Sequence, residues 1–359
     1  MNPTAASTVT GKPVRATVIV VSYNSPDKLL ACLGSVTGSL PADCELLVID
    51  NASPENNADA VAAAFPSVRL LRSPENLGFA GGANEAVKAS RGEFIVLLNP
   101  DTTVREGWLD QLIAPLVASD HIGMTTSRIL LAARPQLFNA SGCEIHLSGI
   151  SLCRGLGRNH REFDPPRNVA AVSGAAFAIR REVFDLLGGL DSDMFLYLED
   201  IDLSMRARLA GFGIEYAPGS VVLHDYELRI TPLKVFWQER NRYQMLLKNL
   251  SWPTLLVLLP TLFLAEVITW GFVVLKDRKN ITNKLNAYRW VFENWGKIMS
   301  KRRQVQSLRR AYDRDILLST SYRLEFEQAA TGALPIATGA ILNPIFFLLR
   351  AIALALVWW

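Results

Sequence analysis

Three carboxylates fall within four positions at Glu199, Asp200 and Asp202, inside the run FLYLEDIDLSMRARLAG over residues 195–211. Like charges this close repel one another. Such a cluster therefore needs either a solvated helix start, where the macrodipole favours anions, or a role as an acid/base or metal centre. Ionising two adjacent carboxyls is disfavoured, so one of the group is pushed toward the pKa range that suits a general base. Arg206, one helical turn beyond Asp202, is spaced to pair with it and keep the cluster from being wholly anionic. A second acidic tip lies upstream in LLNPDT, residues 97–102, where Asn99 and Asp101 flank Pro100. Alone, that tip reads as a proline turn. Together with the downstream cluster it outlines a chemical site.

The elements that must position these groups alternate between strand and helix. Residues 17–22 (TVIVVS), 45–49 (ELLVI), 68–71 and 93–98 are short apolar runs suited to buried parallel strands. Helical patterns occupy 26–40, with Ser25 as N-cap before Pro26, and 56–65. A further helix is expected after the glycine-rich NLGFAGGAN, running to about residue 89. Alternation at this spacing implies βαβ units, whose ligands gather beyond the carboxyl ends of the strands. Those ends carry Tyr23-Asn24, Asp50-Asn51, Asn76 and Asn99-Pro100-Asp101. Each has an alternative reading as a turn. The glycines at 78, 81 and 82 make no GxGxxG, and SYNSPD follows the first strand, which argues against a nicotinamide-dependent oxidoreductase.

At 359 residues the chain can hold one large domain with an appendage, or two domains. Half of it is hydrophobic and mean hydropathy is +0.18, high for a purely soluble enzyme. A net charge of +3 is too small to argue for nucleic acid as a partner. Cys32, Cys44, Cys143 and Cys153 show no zinc-like spacing, so reduced structural thiols are expected. Residues 1–15 are polar without an apolar core, which reads as a flexible tail rather than a secretory signal.

The strings VIVVSYNSPDKLLACLGSV, LLVIDNAS, NLGFAGGANEAV, FIVLLNPDT, VSGAAFAIRREVFDLLGGLDSDMFLYLEDIDLSMRARLAGF and RNRYQMLLKN occur in that order. They resemble the inverting family 2 glycosyltransferases of the GT-A fold, in particular the rhamnosyltransferase-like branch that builds bacterial surface polysaccharides. The resemblance covers about residues 16–250. It implies an α/β fold, a Rossmann-like, mostly parallel sheet flanked by helices. The implied activity moves one sugar from a UDP- or dTDP-sugar, dTDP-rhamnose among them, to a lipid-linked or growing cell-surface glycan.

The resemblance also assigns roles. Asp101 would hold Mg²⁺ or Mn²⁺ against the leaving diphosphate, with Asn99 standing where the fuller Asp-x-Asp pattern has its first carboxylate. His224, in VVLHDY, would be a second ligand, and an imidazole tilts the choice toward Mn²⁺. Asp50 would accept a hydrogen bond from a uracil or thymine imide, Tyr23 and Asn24 would flank the base, and Asn76 would fix the nucleotide. Ser173-Gly174 would let backbone approach the donor sugar. Asp200 would be the general base, with Glu199 or Asp202 as the neighbouring carboxylate. No Gln-x-x-Arg-Trp string is present; Gln238-Glu239-Arg240 does not complete one, which favours single additions over polymer synthesis. A nucleotide-sugar-binding scaffold without catalysis is the alternative.

Residues 251–359 read as a helical, membrane-associated region. The stretch 254–275 is apolar but interrupted by Pro260 and Glu266, and 333–359 is apolar apart from Asn343 and Arg350. Between them, residues 276–330 carry 13 Lys/Arg against 6 Asp/Glu. A single span at 254–275 would put that basic segment outside, against the positive-inside rule. Re-entrant or interfacial helices on the cytoplasmic face of a bacterial inner membrane fit better, with a hairpin at a homodimer interface as the alternative.

Overall fold

The computed structural model describes residues 14–162, 167–226, 232–276, 278–328 and 333–359. Most of the expected N-terminal tail, residues 1–13, lies outside the described residues. The chain begins with β1 (Ala16–Ser22), α1 (Pro26–Thr37), β2 (Cys44–Asp50), α2 (Asn57–Ala64), β3 (Arg69–Arg72), α3 (Gly78–Ala89) and β4 (Phe94–Leu98). It continues through β5 (Thr102–Val104), α4 (Trp108–Ala118), β6 (Ile122–Leu131), β7 (Arg134–Ala140), β8 (Cys143–Ile145), β9 (Ser151–Cys153) and β10 (Ala176–Arg180). Then come α5 (Arg181–Leu186), α6 (Glu199–Leu209), β11 (Gly213–His224) and α7 (Pro232–Asn249). The last helices are α8 (Trp252–Val257), α9 (Leu259–Lys276), α10 (Ile281–Glu293), α11 (Trp295–Ser307), α12 (Asp313–Ser319) and α13 (Ala333–Leu356).

Nine strands form one mixed sheet in the order β3-β2-β1-β4-β10-β6-β11-β5, with β7 also on β6. The first four are parallel, as their continuous apolar runs predict. Beyond them the sheet departs from the expected parallel pattern: β10 runs antiparallel to both β4 and β6, and β5 antiparallel to β11. The reversal sets the carboxyl end of β4 beside the start of β10, Leu98 opposite Ala176. A crevice at such a reversal is where open α/β sheets receive ligands.

Two local readings change. Ser25 does not cap α1 with its side chain. It adopts a left-handed conformation, φ 55°, and its amide donates to Glu55 at 2.8 Å. The third helix also starts earlier than expected, because α3 begins at Gly78 and contains Gly81 and Gly82. A Cβ on Gly82 would sit 3.0 Å from Val21 Cγ1, so its absence lets α3 lie close on β1.

Helices cover both faces of the sheet. One apolar core joins Ile19, Leu47 and Leu97 to Ala83, Phe184 and Leu203; the other joins Val18, Val48 and Val96 to Leu33, Trp108 and Leu112. A third core crosses residue 250, packing Met205, Leu209 and Met245 against Leu255, Leu258, Val305, Leu317 and Val357. Arg302 crosses the same boundary and donates to the Leu247 and Leu250 carbonyls. The C-terminal helices therefore share a hydrophobic core with the sheet domain, and a cut at 250 would divide it. The four cysteines are free thiols.

Candidate functional site

At the carboxyl end of β2, Asp50 is mostly buried and accepts from the Ser53 amide at 3.2 Å. Tyr23, just beyond β1, is half exposed, and Asn24 takes a left-handed φ of 59°. That turn is held by two residues with no assigned role in the sequence reading. Ser53 Oγ accepts from the Asn24 amide at 3.0 Å, and Asn57 Nδ2 donates to Asn24 O at 2.8 Å and Ser22 Oγ at 2.6 Å. Asn76 serves its own loop: its Oδ1 accepts from Asn51 Nδ2 at 3.1 Å and from the Gly78 amide at 2.9 Å. Asn51 completes the arrangement by donating to Gly78 O and accepting from the Leu77 amide. Asp50, Tyr23 and Asn24 share one edge, whereas the Asn76 carboxamide is occupied in building the start of α3.

Beyond β4, Asn99 donates its amide to Ala175 O at 3.0 Å, tying the acidic tip to the Ser173–Ala175 turn before β10. Asp101 lies against His224 at the end of β11, Oδ1 to Nε2 at 3.2 Å. His224 Nδ1 is 2.8 Å from Asn139 Oδ1. With the proton on Nδ1 for Asn139, Nε2 presents its lone pair to Asp101, and Asp101 Oδ1 is buried without a hydrogen-bond partner. Two acceptors aimed at one another fit a shared cation. The donor set, one carboxylate oxygen and one imidazole nitrogen, suits a divalent metal such as Mn²⁺ or Mg²⁺. Among the described residues no group of three or more His, Cys, Asp or Glu side chains could complete a protein-only site.

The acidic cluster is divided by its surroundings. Asp200 Oδ2 accepts from the Gly174 amide at 2.6 Å, and Oδ1 accepts from the Ile201 amide at 2.8 Å. A Cβ on Gly174 would lie 3.0 Å from Asp200 Oδ2, so Gly174 is needed to seat this carboxylate, a different contact from the expected approach to a donor sugar. Ser173 is buried and donates its amide to Thr126 Oγ1. Burial raises the Asp200 carboxyl to about 6, against the partial opposition of the two amides. Glu199 is buried with Oε2 unpartnered; burial first, then the charge of Asp200, holds its pKa well above the usual range.

Asp202 does not join them. It is fully buried on the opposite side of the helix, bonded to Arg206 at 2.8 Å, Lys248 at 3.1 Å and Asn249 at 3.1 Å. The Arg206 pairing expected from spacing is present. Lys248 and Asn249 tie Asp202, and with it α6, to α7, which leaves Asp200 and Glu199 as the carboxyls near the crevice.

Residues 17–188 match the model of glycosyl transferase family 2. Over those residues the chain is a family 2 glycosyl transferase. It is 28% identical over 239 residues to the N-acetylglucosaminyl-diphospho-decaprenol L-rhamnosyltransferase of Mycobacterium tuberculosis, covering 58% of this chain and 75% of that one. It is 27% identical over 232 residues to the uncharacterized protein y4gI of Sinorhizobium fredii, covering 60% of this chain but only 24% of that protein. Among solved structures it is similar to GalNAc-T7 with UDP, GalNAc and Mn²⁺, at a TM-score of 0.54, 19% identity and coverage of 65% of this chain and 47% of that one. That likeness places the family 2 chain in the GT-A fold.

Proposed function

We propose that this family 2 chain is a metal-dependent inverting glycosyltransferase that moves one sugar from a UDP- or dTDP-sugar to a lipid-linked glycan. The observation that carries the reading is Asp200, a half-buried carboxyl raised to about 6 and seated on the Gly174 amide, in the crevice that also receives the Asp101 tip. Near neutral pH such a group is ionised yet basic enough to take a proton. Asp200 would accept the proton of the acceptor hydroxyl as that oxygen attacks the anomeric carbon, in a single displacement through an oxocarbenium-like state. Glu199, protonated, would leave Asp200 as the one ionised carboxyl of the pair. Asp101 and His224 would hold the cation, whose chemistry is to neutralise charge growing on the diphosphate. The M. tuberculosis relative's name supports a rhamnosyl donor and a polyprenyl-diphosphate sugar as acceptor. A panel of UDP- and dTDP-sugars with Mn²⁺, read by thermal shift and then by the anomeric configuration of the product, tests the reading. A retained configuration would overturn it.

At the base pocket, Asp50→Ala should weaken UDP or dTDP binding by roughly 1–3 kcal/mol, the effect of losing a charged hydrogen-bond partner. Calorimetry that found equal affinity of the unchanged protein for CDP and UDP would sink the assignment of Asp50 to the imide.

The C-terminal helices support interfacial contact with a membrane. Glu266, the charge that interrupts the 254–275 stretch, faces inward and accepts from Arg242, Tyr243 and Tyr288, with Lys284 at 3.3 Å. Residues Leu259–Val274 and Arg278–Glu293 form helices bent by 119°, not one straight span. Part of the basic excess is internal too, since Lys284 is fully buried between Glu239 and Glu266. The exposed apolar side chains gather on α8, α9 and α13: Leu256, Leu259, Phe263 and Val267 on α8 and α9, and Ile341, Ile345, Leu348 and Ile352 on α13. The α13 segment Thr338–Leu356 is long and apolar enough to cross a bilayer, with 17% of its apolar window buried. We read this face as resting on the cytoplasmic leaflet beside the lipid-linked acceptor. Phe263→Asp with Leu348→Asp should reduce partition onto anionic-lipid vesicles by about 10²-fold, given some 1.5–3 kcal/mol for each apolar side chain withdrawn from water. Undiminished co-sedimentation of the double variant would remove this face from the membrane.

A further inference from the structure

The segment that delivers Glu199 and Asp200 to the crevice is conformationally costly. Phe195, Tyr197 and Leu198 all have positive φ, at 61°, 70° and 67°, and none is glycine. Each such residue is strained and persists only where its surroundings over-determine it. What over-determines it is a buried pair on α7. Arg240 donates to Asp193 O and Met194 O, both at 2.7 Å. Asn241 Nδ2 lies 2.9 Å from Met194 O, 3.0 Å from Leu196 O and 2.7 Å from Tyr197 O, so its two N–H bonds are shared among three carbonyls. Arg240 Nε also donates to Asn241 Oδ1 at 2.9 Å, which fixes the carboxamide with its donors toward the segment. The guanidinium is held in turn over the Trp290 ring, 4.6 Å from its centroid.

The other side of the segment touches the start of α3. Phe195 O accepts from the Ala80 amide at 3.3 Å, and a Cβ on Gly78 would come within 2.4 Å of that oxygen. Gly78 is itself bound into the Asn51–Asn76 loop beyond β2. The segment is thus pinned between the nucleotide-side loop and α7, with Asp200 two residues past its last strained position.

We infer that Arg240 and Asn241 are positioning residues. They form a latch on the carbonyls of residues 193–197 that holds the strained segment so that Asp200 meets the Gly174 amide. The inference rests on Asp200 being the base. Neither α7 residue contacts Asp200, so the latch acts only through backbone.

Asn241→Asp tests it with little change of volume, because an anionic acceptor replaces the donor facing three carbonyls. Arg240→Lys is the milder companion and keeps the test falsifiable should the first variant fail to fold. The full chain is assayed with whichever UDP- or dTDP-sugar the unchanged protein turns over, and UDP and dTDP binding with Mn²⁺ is measured beside it. A base displaced by about 1 Å should cost about 10- to 100-fold in kcat with donor KM nearly unchanged. Hydrogen exchange should accelerate over residues 194–201 but not over β2. Arg240→Lys should show the same split to a smaller extent. The latch is overturned if both variants keep kcat near that of the unchanged protein, or if nucleotide affinity and exchange throughout the domain deteriorate in step with kcat. Asp200→Asn run in parallel separates the two ideas. Full activity there sinks the base assignment, whereas loss there with active latch variants sinks the latch alone.

Discussion

Asp200→Asn should lower transfer by about 10²–10⁴-fold, the usual contribution of a general base, while nucleotide binding survives. The substitution keeps the shape and removes the ability to take a proton. Glu199→Gln is the informative partner. Burial and the charge of Asp200 push the Glu199 carboxyl well above its ordinary value, toward the neutral form, so a neutral isostere should leave most of the rate intact. Asp202→Asn should act differently again, through stability, because it breaks a buried pair with Arg206 and Lys248. The sign of the pH effect follows from the Asp200 carboxyl at about 6. Its ionised form is the active one, so the rate should climb as pH rises through about 6 and level off above. A pH–rate profile lacking that limb, or a Glu199→Gln variant as slow as Asp200→Asn, would move the base from Asp200 to Glu199.

Asp101→Ala should abolish most of the metal dependence of nucleotide binding, weakening it by about 10²–10³-fold when Mn²⁺ is present, in line with several kcal/mol of Lewis-acid stabilisation. The reason is the pairing of its orphaned oxygen with the His224 lone pair, since losing either leaves a single protein ligand. His224→Ala should follow with a smaller loss. Asn139→Leu, which removes the partner of His224 Nδ1, should cost about 10- to 100-fold in metal affinity, as partners that orient a ligand commonly do. Calorimetry with UDP or dTDP, with and without Mn²⁺, reads all three. Equal affinity of the unchanged protein in both conditions would remove the cation from the site. The two sets of variants also dissect the proposed reaction, in which Asp101 would serve the leaving group and Asp200 the nucleophile. Only the Asp101 series should therefore change donor binding.

The first four strands and their polar tips were legible because parallel strands buried on both faces must be continuous apolar runs, and such runs end where the chain turns polar. Asp50, Asp101 and Asp200 stand out for the same reason: carboxylates beside apolar runs are costly without a use. The antiparallel β10 and β5 were not legible. Strand direction leaves no mark on a five-residue apolar segment such as AFAIR. The start of α3 was expected after its glycines because propensity disfavours them in helices, whereas close packing on Val21 and Phe195 demands them.

By itself, the order of the motifs determined the family, the α/β class and the candidate carboxylates, since those depend on residue type and local periodicity. Tertiary structure alone decided which acid does what. Glu199, Asp200 and Asp202 are chemically alike in the sequence, and their difference arises from what folding brings to each. Asp200 receives the Gly174 amide, Glu199 receives no partner for Oε2, and Asp202 receives two cations. These partners come from far along the chain, 26 residues away for Gly174 at Asp200 and 46 for Lys248 at Asp202. The same holds for Asn139 at His224 and for Asn241 at the 193–197 carbonyls. Both are ordinary asparagines until long-range contacts give their carboxamides something to hold.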